Sequence, residues 1–294
     1  MTEQSLYLRE IARRIVREYT ALESARAAML SGSAAEGHAD RYSDIDMMVY
    51  YDALPTDAEL EEARIANGGG TRIWQAGDRA AGAVMEAYPV AGVECQIVHV
   101  TTAAWERDMG VVLEQHVVET PLHKALSGLL VGIPLYGDER IAEWKARAAA
   151  FPEPLRAKMA AHYLSFFPIW GMRERFFSRD AVLWFHQIRV ETLQNLLGAL
   201  AGVNRRYYTT FQFKRTADFV ATLGACPEAL AARLEEALAA EPDRAAVLLE
   251  ALVRETVGIV EHELPDLDTA TARGRIDHTP RPWSIDLEST KNTK

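Results

Sequence analysis

The feature that most constrains this chain is the boundary at Phe151–Pro152–Glu153–Pro154, where two prolines exclude a continuous helix. Before that point short apolar runs alternate with helical patterns, and beyond it almost everything repeats at helical spacing. With 294 residues the chain is long enough for two compact units of ordinary size. The reading is an α+β chain: a mixed sheet with helices over residues 1–150, then a helical bundle over 151–265. The tail, 266–294, contains Pro280 and Pro282 among polar residues and either wraps the surface or is disordered.

Within the first part, Leu6, Ile11, Ile15 and Tyr19 recur at helical spacing and predict a helix to about Ala21. A strand through Ala27–Leu30, a polar loop and a second strand over Asp44–Tyr51 follow. Pro55–Asn67 reads as a helix with Thr56 as N-cap, Glu59 completing a capping box, and Gly68–Gly69–Gly70 ending it. Thr71–Gln75, Ala83–Val90 and Val93–Thr101 read as strands, the last two joined across Ala91–Gly92 as a hairpin. From Ala103 the pattern turns helical. In the second part, helices are expected over Leu155–Phe177, Arg179–Ala201, Thr210–Leu223 and Pro227–Leu264, the last broken at Glu241–Pro242–Asp243.

The formal net charge of −10 argues against tight non-specific binding to nucleic acid, because backbone affinity rests on clustered Lys and Arg. An acidic surface favours cationic small molecules instead. Cys95 and Cys226 are the only cysteines, which excludes a disulfide framework and a Cys-x-x-Cys pair and fits a reducing cytoplasm. The charged residues of Met1–Thr20 leave no apolar core for a signal peptide, and no apolar run reaches the roughly 18 residues that span a bilayer. The expectation is a cytoplasmic protein without a membrane partner; a homodimer stays open.

Chemistry concentrates in the stretch from Gly32 to Asp46. On a strand, residues two apart share a face, so Asp44 and Asp46 project together while Ile45 enters the core. Two carboxylates so placed repel, and a divalent cation removes that penalty. Magnesium takes hard oxygen ligands, commonly one or two carboxylates plus substrate phosphates, which implies a nucleoside triphosphate. Upstream, Gly32–Ser33 at a strand end lets backbone N–H groups and a hydroxyl approach phosphate oxygens, and Gly37 permits the turn back to the metal strand.

Gly32–Ser33, Gly37, and Ser43–Asp44–Ile45–Asp46 opening an apolar strand resemble the DNA polymerase β-like nucleotidyltransferase superfamily, specifically over Leu30–Tyr51. The resemblance implies a nucleotidyltransferase domain over 1–150. It implies two magnesium ions and an in-line transfer of a nucleoside monophosphate to an acceptor hydroxyl, with loss of pyrophosphate. It also implies a third carboxylate flanked by apolar residues on a later strand; Val93–Glu94–Cys95 fits, with Glu86 as the alternative. In the antibiotic-modifying members, which this chain resembles in size and layout, that glutamate is the base that deprotonates the acceptor. Metal ligands are then Asp44, Asp46 and Glu94, and nucleotide contacts Gly32, Ser33 and Ser43.

A second, looser resemblance runs from Asn195–Leu196–Leu197 through Asn204–Arg205–Arg206–Tyr207–Tyr208 to Lys214 and is similar to the helical region of bacterial small-molecule nucleotidyltransferases. Lys214, the only lysine between Lys158 and Lys291, suits a triphosphate as a point charge on a flexible stem. These features imply ATP as donor and a small hydroxylated acceptor, led by aminoglycoside or lincosamide antibiotics, bound between the two parts. An RNA- or tRNA-directed transferase is the rival within the same chemistry, and a non-catalytic nucleotide-binding or antitoxin-like protein the rival outside it. The histidines lack zinc-site spacing, no Gly-x-Ser-x-Gly elbow occurs, and Gly68–Gly70 lacks the continuation of a P-loop.

Overall fold

The computed structural model describes residues 1–172, 176, 178–211 and 213–278. It is α+β, a mixed six-stranded sheet with helices followed by a helical region. Two compact units emerge: one of Met1–Leu155 with Arg206–Phe211, the other of Arg156–Arg205 and the chain after Phe211.

In the first unit, the strands are β1 (Ala25–Ser31), β2 (Ile45–Tyr51), β3 (Trp74–Asp78), β4 (Ala83–Val90), β5 (Val93–Thr101) and β6 (Ile133–Tyr136). Their spatial order is β3-β4-β5-β2-β1-β6, and the β2–β5 pair is parallel while its neighbours are antiparallel. Helix α1 (Glu3–Thr20) is capped by Thr2, whose hydroxyl accepts from Ser5 N–H. Its stripe of Leu8, Ile11, Ile15 and Tyr19 joins Leu30, Ile45, Met47, Val49, Cys95 and Ile97 in one continuous core on one sheet face. On the other face Tyr50 stacks on Trp105 of α4 (Thr102–Leu113) and on Trp144, with ring centroids 5.7 and 4.6 Å away. The alternation Ile45, Met47, Val49 against Asp46, Met48, Tyr50 thus divides β2 between two environments.

Other local readings follow from side-chain chemistry. The short helix α2 (Gly32–Glu36) leaves β1, and α3 (Asp57–Ala66) carries the reciprocal Thr56–Glu59 capping box. Val90 pairs with Val93 across Ala91 and Gly92, both at positive φ as a tight two-residue hairpin demands. Helices α5 (Leu122–Val131) and α6 (Asp138–Ala149) flank β6.

Several sequence expectations need correction. The strand expected at Thr71–Gln75 runs instead over Trp74–Asp78, because the turn at residues 79–82 sets a register ending at Asp78 opposite Ala83. β6 interrupts the region expected to be helical from Ala103; its Pro134 cannot donate to a ladder and is tolerated because the strand lies at the sheet edge. The loop expected after Ser31 begins with α2.

The second unit is helical: the body of α7 (Glu153–Tyr163), α8 (Val182–Val203), α9 (Thr216–Ala221), α10 (Leu230–Ala239), α11 (Pro242–Glu263) and α12 (Ala270–Ile276). Pro242 opens α11 at its first turn, where its missing N–H is harmless, so the expected break falls at Glu241. Buried Arg189 donates to the carbonyls of Leu238 and Ala240, both at 2.8 Å, and closes the C-terminal end of α10. The helix expected over Leu155–Phe177 stops at Tyr163, ahead of Pro168 and a short 3₁₀ turn at Ile169–Gly171. The helix expected over Thr210–Leu223 is confined to Thr216–Ala221. Part of the expected tail is α12, whose Ile276 carbonyl accepts from Trp170 Nε1–H at 2.9 Å. Phe177, Pro280 and Pro282 lie outside the described residues.

Candidate active site

The β2–β5 register brings two of the carboxylates singled out in the sequence, Asp44 and Glu94, side by side. Ile45 pairs with Cys95 and Asp46 with Gln96 in a parallel ladder, so Asp44, which immediately precedes β2, comes alongside Glu94. On β1, Ser31 stands opposite Asp46. Ile45 and Cys95 point into the core under α1 and are fully buried, whereas Asp44, Asp46, Glu94 and Gln96 are half-buried on the other face. One nitrogen ties the strands together: Gln96 Nε2 donates to Asp44 Oδ2 at 2.9 Å and to Glu94 Oε1 at 3.0 Å. The period-two rule that finds Asp44 and Asp46 also places Gln96 beside Glu94, but a sequence search restricted to carboxylates passes over it.

The strand-to-helix turn is built around Asp46. Gly32 has φ +63°, and a Cβ there would overlap Asp46 Oδ2, so both backbone conformation and space require glycine. Gly37 ends α2 at φ +83°, with its N–H donating to the Ser33 carbonyl. Helix α1 holds this turn from below. Arg9 donates to the carbonyls of Ala34 and Ala35, each at 2.8 Å, satisfying groups that a helix end leaves unpaired. Thr2 Oγ1 donates to the Ala39 carbonyl at 2.7 Å, and Ala39 N–H donates to Ser5 Oγ at 2.9 Å.

The remaining predicted contacts fall in different places. Ser33 is half-buried on α2, one residue from Gly32. Ser43 is taken up in its own loop, where its hydroxyl accepts from Asp40 N–H at 2.9 Å and its N–H donates to the Asp40 carbonyl. Lys214 is exposed in the second unit. The approach of α5 was not legible in advance: Gly128 faces Ser31 Oγ so closely that an added Cβ would come to 2.8 Å. One turn earlier on α5, exposed Lys124 lies over the Phe211 ring, 5.5 Å from its centroid.

Glu86, the alternative third carboxylate, belongs to the opposite face. It is 2% exposed, paired with Ile97 on β5, and bonded at 2.9 Å by Arg72 Nε. His99 Nε2 stands 3.5 Å from its other oxygen, and His99 Nδ1 meets Tyr51 Oη at 3.1 Å. Burial pushes the Glu86 carboxyl up, but the neighbouring His99 and Arg72 outweigh it and hold the group below the usual carboxylate range. Burial pushes His99 down, against the opposing pull of the Glu86 carboxylate. Cys95, beneath the site, has its thiol pushed up to about 12 by burial, which removes it as a nucleophile.

The side chains present are of the kind magnesium takes: hard carboxylate oxygens of Asp44 and Glu94 at two adjoining strand starts, and the Asp46 carboxylate, for which Gly32 leaves room. Among the described residues, no group of three or more His, Cys, Asp or Glu side chains is gathered to hold a metal ion; at this site the Gln96 amide stands between Asp44 and Glu94. Magnesium commonly needs only one or two protein carboxylates, with substrate phosphates and water completing its shell. No helix among the described residues is long and apolar enough to cross a membrane.

No protein-family model and no curated protein matches the sequence. Among solved structures the chain is similar to the crystal structure of a nucleotidyltransferase-like protein from Exiguobacterium sibiricum, at 13% identity and a TM-score of 0.39, over 94% of this chain and 82% of that one.

Proposed function

We propose that this chain is a magnesium-dependent nucleotidyltransferase that moves AMP from ATP to a hydroxyl of a small molecule and releases pyrophosphate. The observation that supports the reading is the placement of Asp44, Asp46 and Glu94 on one sheet face, Asp44 and Glu94 side by side and joined through Gln96, with Gly32 packed against the Asp46 carboxylate. Asp44 and Asp46 would hold the metal, which when bound supplies positive charge to the phosphates. Glu94, alongside Asp44, accepts the proton of the acceptor hydroxyl. The acceptor oxygen then bonds to the α-phosphorus as the bond to the bridging oxygen breaks, and pyrophosphate leaves. Ser33 and the backbone at Gly32 orient the outer phosphates. For the acceptor we favour an aminoglycoside or lincosamide, since a net charge of −10 draws cationic molecules and disfavours polynucleotides.

Purified protein incubated with magnesium and each of the four nucleoside triphosphates, against a library of hydroxylated antibiotics, tests this by product mass. The expected result is an acceptor heavier by one AMP, absent with Asp44→Asn. Nucleotide binding without turnover across the library would favour a non-catalytic role, and modification of tRNA but not of drugs would replace the acceptor class.

A further inference from the structure

We propose that Gln96 is a latch, a neutral stand-in that holds the Asp44 and Glu94 carboxylates together and releases them when a divalent cation arrives; this rests on the metal reading of the same site. The geometry is specific. A primary amide nitrogen carries two hydrogens, and Gln96 directs that nitrogen at oxygens of both acids, 2.9 and 3.0 Å away. Those acids start two adjacent parallel strands and would otherwise face each other across the ladder. Like charges so placed repel, and a donor between them offsets the repulsion only partly, because an amide carries dipole rather than net charge.

Magnesium or manganese offsets that charge better and needs the Asp44 carboxylate that Gln96 occupies. The two states therefore compete at Asp44: either Gln96 Nε2 bridges Asp44 to Glu94, or the cation engages Asp44 and the amide turns away. Asp46, the other proposed ligand, takes no part in the Gln96 bridge and is packed against Gly32. The latch keeps an acidic strand end ordered before the metal–nucleotide complex binds, and its release makes metal affinity lower than the carboxylates alone would give.

The test is calorimetric titration of manganese into the full chain, with thermal unfolding in chelator measured in parallel. Gln96→Met keeps the length and removes both donors. It is expected to bind manganese about tenfold more tightly than wild type, while its Tm in chelator falls by about 2–4 °C. Gln96→Lys places a tethered ammonium between the acids: manganese affinity is expected to fall more than about 100-fold while Tm in chelator stays at or above wild type. Weaker manganese binding in Gln96→Met would overturn the latch and make Gln96 an orienting group. Equal binding by wild type and Gln96→Met would also overturn it. Binding in neither, or binding unaffected by Asp44→Asn, would instead overturn the metal reading beneath it. If Gln96→Met does not fold, Gln96→Lys decides alone, since retained manganese affinity there contradicts the latch.

Discussion

Glu86 and Glu94 sit on adjoining strands of one hairpin, and their difference shows how the fold separates structure from chemistry. Glu86 points into the α1-covered core, where Arg72 neutralises it and His99, Tyr19 and Tyr51 complete a polar cluster. Glu94 emerges on the other face, where the side chains it meets are a neutral amide and, through that amide, another acid. Both are glutamates flanked by apolar residues, so that motif alone does not rank them. A carboxylate whose charge is balanced by residues of the fold has no remaining demand; one grouped with other carboxylates does.

Substitution at Asp46 should produce the largest effect. Asp46→Asn preserves shape and removes charge on the exposed side of the comparison, so AMP transfer should fall by about 10³-fold or more, with Tm within about 2 °C of wild type. Steady-state rates and thermal unfolding on the same preparation check both halves; a variant that unfolds would place Asp46 with Glu86 instead.

The two glutamates themselves give the sharpest contrast. Glu94→Gln removes the proposed base and should cost about 10²–10⁴-fold in kcat at unchanged stability. Glu86→Gln leaves Arg72 without its charge partner beside the core and should destabilise by roughly 2–3 kcal/mol, less than a fully buried pair because Arg72 keeps part of its solvent contact, with kcat per folded molecule unchanged. Denaturant unfolding and kinetics separate the outcomes. Exchanged phenotypes would break the comparison.

Gly32→Ala joins the two effects at one position. A positive φ costs a non-glycine residue about 1–2 kcal/mol, and the added methyl displaces Asp46, so stability and transfer should both fall, the latter by about 10–100-fold. Unfolding midpoints and rates test it, and an alanine variant of full activity would remove the Gly32–Asp46 contact from the proposed site.

How much of this was legible in the sequence follows from the range of the forces involved. Local signals were readable: the Thr56–Glu59 box, the Ala91–Gly92 hairpin, the break at Glu241 and the shared face of Asp44 and Asp46 all depend on a few neighbouring residues. Strand partners distant in sequence were not. That Glu94 rather than Glu86 lies next to Asp44 depends on β2 pairing in parallel with β5, a contact across about fifty residues that no local pattern encodes. The Gln96–Asp44 bond was hidden for the same reason, since it exists only once the two strands are adjacent. β6 was missed because Ile133–Tyr136 is short and carries a proline, both permissible only at an edge.

A smaller effect should appear in the pH dependence of stability. Burial lowers the pKa of His99 and His123, so the folded state resists protons that the unfolded chain accepts near its ordinary value of 6.5. The histidine contribution is complete above that value and is lost as pH falls below it. Wild-type Tm should therefore drop between about pH 7 and pH 5 and the drop should shrink in His99→Gln, whereas substitutions at Glu94 should leave that slope alone. Thermal scans across that range measure it.

The central claim, that the Asp44–Asp46 strand end is a metal-dependent nucleotide site, is tested most directly by calorimetric titration of ATP with and without magnesium, in wild type and in the Asp44→Asn/Asp46→Asn double variant. The account predicts ATP binding that requires magnesium and disappears in the double variant while Tm is retained. ATP binding that survives both chelator and the double substitution would contradict it.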